Sequence, residues 1–143
     1  MSTDHVVPPT PRGDYVPAVL HGGVVYTAGM TPRRDGELTV TGQVGAAVSV
    51  AAARAAAELA AANALAAVFS AVPAGVRGVR CLRMTVYVAC APNFHDLSTV
   101  ADGASAAISA ALGADALPAR SAIGVQTLPS NAPVEVDLVA AVG

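Results

Sequence analysis

The segment PARSAIGVQTLPSNAPVEVD, residues 118–137, holds two strand-like runs that are small and apolar apart from a few charged side chains. Arg120 opens the first run, and Glu135 stands near the start of the second. A lone guanidinium in such a background can hold a carboxylate bidentately, and a half-buried glutamate can be tuned to move protons. The competing reading is a structural ion pair or two edge charges. If 120–127 and 134–142 formed one hairpin around 128–133, Glu135 would face position 126 and Arg120 position 141. The two charges would then lie roughly 20 Å apart. Either the strands are not direct partners, or the charges meet across a subunit boundary.

The rest of the chain sets limits on the chemistry. Its 143 residues suit one domain, read as 1–143 with a flexible, proline-rich lead over 1–13. Only 13% of residues are charged against 54% hydrophobic, so further surface is expected to be buried against copies of the chain. Net charge is −2, aromatic content is 3%, and all eight basic residues are arginines. These values leave no phosphate-neutralising run or stacking platform, so no nucleic-acid partner is expected. The absence of lysine excludes a Schiff base on this chain's own amine, including an internal aldimine with pyridoxal phosphate. His5, His21 and His95 have no ligand spacing, and neither a metal nor an organic cofactor is expected. Cys81 and Cys90 end one predicted strand about 30 Å apart, too far to bridge within it. Free thiols without a signal peptide give a cytoplasmic expectation.

Along the chain, Ala18–His21, Gly22-Gly23 and Val24–Gly29 predict a hairpin. A charged turn follows at Arg33–Glu37, then a short strand at Leu38–Thr41. Alanine density predicts a long helix from Gln43 to Val72, with Arg54 and Glu58 paired and Leu59, Ala62, Leu65, Ala66, Val68 and Phe69 on the apolar face. Arg54, Glu58 and Pro73 mark this helix as no membrane span. Val79–Ala89 alternates as a strand, with Leu82, Met84, Val86 and Val88 toward the helices and Arg83, Thr85 and Tyr87 away. A second helix is expected over roughly 95–112, closed by Gly113. The order strand–strand–(strand)–helix–strand–helix–strand–strand predicts an α+β fold, a mixed sheet with two helices on one face and the other face left for oligomerisation.

PARS at 118–121, LP at 128–129, VEVD at 134–137 and the 15-residue step from arginine to glutamate resemble the C-terminal signature of the RidA/YjgF family of imine deaminases and relatives. Gly13–Pro17 resembles the family's G-P-Y segment, and Tyr26–Pro32 its glycine loop, with Ala28 replacing the usual serine and Met30 the usual glutamine. The resemblance covers 13–142. It implies a chorismate-mutase-like protomer, a homotrimer around a central sheet barrel, and clefts between subunits. It further implies hydrolytic deamination of 2-imino acids or enamines without a cofactor. Arg120 would hold the substrate carboxylate, Glu135 would handle water and protons, and Tyr15 and Gly29 would shape the cleft. Asp102 is the nearest match to a cleft asparagine. A non-catalytic carboxylate-binding or regulatory trimer is the alternative of another class. Ribonuclease or translation-inhibitor activity, also attached to this family, is disfavoured by the missing lysines and basic patches.

Overall fold

The computed structural model describes residues 8–143. Hairpin β1 (Ala18–His21) and β2 (Val24–Thr27) turns at Gly22 and Gly23, both at positive φ, as the Gly-Gly pair predicts. A small second hairpin, β3 (Arg33–Arg34) and β4 (Glu37–Leu38), replaces the expected strand over 38–41. Helix α1 (Val50–Ala71) leads to β5 (Val79–Ala89), α2 (Leu97–Leu112), β6 (Ala119–Val125) and β7 (Val134–Val142). The main sheet runs β1-β2-β7-β5-β6, with β5 and β6 parallel across α2 and the other pairs antiparallel. β5 therefore separates the two strands of the 118–137 segment, which are not direct partners.

Helix α1 starts seven residues later than expected. Gly42 and Gly45 take positive φ, and Val44 bridges to Cys90 and Val48, so tertiary pairing overrides the helix propensity of Ala46 and Ala47. Ser49 then caps the helix, its Oγ accepting from the Ala52 N–H at 3.1 Å. Ala53, Ala57, Ala60, Ala64, Ala67 and Val68 are buried, spaced by three and four residues. Leu65 and Ala66 are buried as expected, Leu59 and Phe69 only partly, and Ala62 faces solvent. Leu59 and Phe69 are kept to the flank because a face made mostly of alanines brings α1 close to both α2 and the sheet. Arg54 and Glu58 form no ion pair; the only one among the described residues is Arg120–Asp102. Although α1 is long and apolar enough to cross a membrane, more than half of its most apolar stretch is buried in this core.

Leu82 is also placed differently. Cys81 pairs with Ala140 and Arg83 with Val139, so Leu82 is the extra residue of a β-bulge. Its side chain is 41% exposed and Cys81 takes the core position instead. The alternation then resumes, with Met84, Val86 and Val88 fully buried beneath the helices. The opposite face carries Tyr26, Arg83, Thr85, Tyr87, Glu135 and Asp137, and no element of the described chain covers it.

Candidate functional site

Arg120 lies on edge strand β6 opposite Met84, so its side chain leaves the sheet on the helix side. Three side chains of α2 receive it. Nη1 donates to Asp102 Oδ1 at 2.8 Å and Ser105 Oγ at 2.9 Å, and Nη2 donates to Ser98 Oγ at 2.9 Å. Positions 98, 102 and 105 recur at helical spacing, so they form one face toward β6. That spacing is readable in the sequence, where the family resemblance points to Asp102 alone. Of the five guanidinium N–H donors these contacts use three, leaving two that can face a carboxylate. Arg120 is 21% exposed and Asp102 51%. Asp102 thus does enter the arginine's surroundings, and its charge offsets part of the attraction for an anion.

Glu135 lies on β7 opposite Tyr87, on the uncovered side of the sheet. Arg120 and Glu135 therefore project from opposite faces, with β5 between their strands. A single chain does not bring them together.

Backbone pairing between Met30 and Val136, at 2.8 Å in both directions, lays Gly29 beside Glu135. A Cβ on Gly29 would stand 2.6 Å from Glu135 Cδ and closer still to Oε2. The glycine is needed for this close approach, at a φ open to other residues. Met30, at the position where the resemblance leads to glutamine, is buried in the core.

Burial raises the Glu135 pKa above its ordinary value of 4.5, and the Asp137 carboxylate adds to the rise. Asp137 is itself raised by burial, opposed by the Thr85 and Tyr87 hydroxyls and by Arg83. No arginine pulls Glu135 down, because Arg120 is on the other face. Both effects raise the proton affinity of the carboxylate, which strengthens it as a proton acceptor.

A cavity of about 200 Å³ opens beside Glu135. Tyr15 and Gly29 line it, and so do Pro9–Arg12 from the predicted lead. Arg33 reaches it beside Arg12, which no sequence pattern indicates because the two lie 21 positions apart with the β1–β2 hairpin between them. No cluster of metal-ligating side chains exists among the described residues. Cys81 is free, and burial pushes its thiol up to about 11, where it is an inert core group.

The family model described as Endoribonuclease L-PSP matches residues 6–142. The chain belongs to this family, the YjgF/RidA family. Protein TCP17 of Trypanosoma cruzi is 35% identical over 128 residues, 89% of this chain and 80% of the relative. Among solved structures, Atu1372 of Agrobacterium tumefaciens, a protein of unknown function, is 38% identical with a TM-score of 0.83, covering 91% of this chain and 82% of the other. The YjgF gene product of E. coli is 25% identical with a TM-score of 0.67, covering 95% and 96%. The family member described here thus shares the α+β protomer, with two helices on one face of a mixed sheet, expected from its sequence.

Proposed function

We propose that this YjgF/RidA-family chain is a hydrolytic deaminase of reactive 2-imino acids or enamines, working in a cleft between the subunits of a homotrimer. The observation that carries this reading is the desolvated Glu135 carboxyl over Gly29, at the edge of a cavity and on an uncovered sheet face. Arg120 of a neighbouring subunit supplies the carboxylate anchor through its two remaining N–H donors. Glu135 takes a proton from the attacking water as the oxygen adds to the imine carbon. It delivers that proton to nitrogen to give a carbinolamine, then carries the hydroxyl proton to the same nitrogen as the C–N bond breaks, so that ammonia leaves and the keto acid remains. The work done by the protein is positioning and proton transfer, for a reaction that also proceeds slowly in water. The free thiols of Cys81 and Cys90 suit a reducing cytoplasm.

The N–H donors that Arg120 keeps free beyond its three contacts with α2 support a second reading, in which the trimer binds small carboxylates without turning them over. Rate measurements separate the two. Imino acids generated in situ by an amino-acid oxidase should be lost faster with protein than in buffer. Glu135→Gln should slow this by a factor on the order of 10²–10⁴ while keto-acid binding survives. Saturable keto-acid binding with no acceleration of imine loss would establish the binder instead.

A further inference from the structure

Arg12 and Arg33 both donate to a single acceptor, the carbonyl oxygen of Gly36; the Arg33 Nη1 bond is 2.9 Å. Gly36 and Asp35 both take positive φ, which turns this carbonyl outward at the tip of the β3–β4 hairpin. The hairpin is anchored at its base by Asn63 of α1, whose Nδ2 donates to the carbonyls of Thr31 and Arg33 at 3.0 Å each. Tyr15 steadies the other partner, its hydroxyl accepting from the Arg12 N–H at 3.2 Å.

Two guanidiniums are thus held together on a neutral oxygen, and among the described residues neither meets a carboxylate. Like charges so placed repel, and an anion between them would relieve the repulsion. Each retains N–H donors beyond the one given to Gly36. Both line the Glu135 cavity, and both also line an adjoining cavity of about 820 Å³ that Arg34 and Asp35 border, three guanidiniums against one carboxylate.

We propose that Arg12 and Arg33 form a second anion-recognition element, so that the preferred ligand carries a distal carboxylate in addition to the one beside its reacting carbon. This inference rests on the Glu135 cavity being the ligand site. It assigns the substrate class as imino or keto dicarboxylic acids. Arg120, partly neutralised by Asp102, is on the helix face of the same chain, so the second element is distinct from it.

The test is calorimetric binding of 2-oxoglutarate and of 2-oxobutyrate to the full chain and to Arg12→Gln, Arg33→Gln and Arg33→Lys variants. The wild type should bind 2-oxoglutarate at least about tenfold more tightly, a difference of about 1.4 kcal/mol. Either glutamine variant should erase most of that preference, weakening 2-oxoglutarate binding far more than 2-oxobutyrate binding, and Arg33→Lys should keep part of it. Thermal unfolding on the same samples identifies a variant that has lost its fold, and exposed Arg12 then carries the test alone. Equal affinity for the two acids, or a preference surviving in the glutamine variants, overturns the second element and leaves the deaminase reading standing. Binding of neither acid overturns both. A short RNA oligonucleotide that binds more tightly than 2-oxoglutarate, and loses binding in the same variants, would reassign the cluster to phosphates and overturn the inference.

Discussion

Glu135 owes its chemistry to what stands beside it, and Gly29 is the neighbour that can be changed with least damage. The three nearest atoms that a methyl group there would meet, Oε2, Cδ and Cγ, all belong to the Glu135 side chain, which can swing away. Gly29→Ala should therefore leave thermal stability nearly intact while lowering imine hydrolysis about as much as Glu135→Gln, measured as kcat/KM on matched samples. Equal activity in Gly29→Ala would mean that the carboxyl position is not required. The raised pKa of Glu135 has its own consequence for stability. The folded state favours the protonated carboxyl, so this group's contribution is fully present below its unfolded pKa and is lost as pH rises through the folded value. Glu135→Gln cannot ionise, so its melting temperature should exceed that of the wild type at pH 7. The gap should narrow toward pH 4, near the ordinary carboxylate value. A gap independent of pH would show that ionisation of Glu135 costs the fold nothing. The sequence identified Glu135 and Gly29 but left the sign of the pKa shift open. That sign depended on whether Arg120 lay nearby, and a strand between the two charges removes it. Arg12 and Arg33 were illegible for a related reason: a shared carbonyl acceptor in a loop has no sequence period.

At the scale of elements, the sequence spoke clearly where local preference and tertiary packing agreed. β5 runs over its predicted residues, Gly113 ends α2, and the Gly-Gly hairpin forms. It misled where a neighbour imposed a different geometry, as at the Leu82 bulge and at the late start of α1. Helix packing adds a residue that composition alone passes over. Gly103 of α2 lies against the Arg54 carbonyl of α1, and a Cβ there would fall far inside contact distance of backbone. Unlike the Gly29 case, the obstacle cannot rotate away, so the helices must separate. Gly103→Ala should destabilise the protein by about 1–3 kcal/mol or more, the usual range for overpacking a tight core. Chemical denaturation should show a lower midpoint with an unchanged slope. Because Asp102 and Ser105 flank this position, the variant should also loosen the cage around Arg120 and weaken keto-acid binding. A midpoint equal to wild type would show that α1 and α2 can move apart freely.

The protomer presents Arg120 and Glu135 on opposite faces of one sheet, and among the described residues no element covers the Glu135 face. In the proposed trimer that face is buried between copies, and the arginine of one copy serves the glutamate of the next. Light scattering at micromolar concentration should then give three times the 14.1 kDa chain mass. A stricter test uses two inactive variants together. Arg120→Ala retains Glu135, and Glu135→Gln retains Arg120, so each alone should lack working sites. If the variants are unfolded together in equal amounts and refolded, an intact site arises wherever an Arg120→Ala chain presents its glutamate to the arginine of a Glu135→Gln chain. Random assembly makes about a quarter of all sites intact in a cyclic trimer, so about a quarter of wild-type activity should return. If each site instead drew both residues from one chain, no combination would contain an intact pair and the mixture would stay inactive. Mixing the folded variants without unfolding should restore activity only as fast as subunits exchange, which separates true complementation from a contaminating activity.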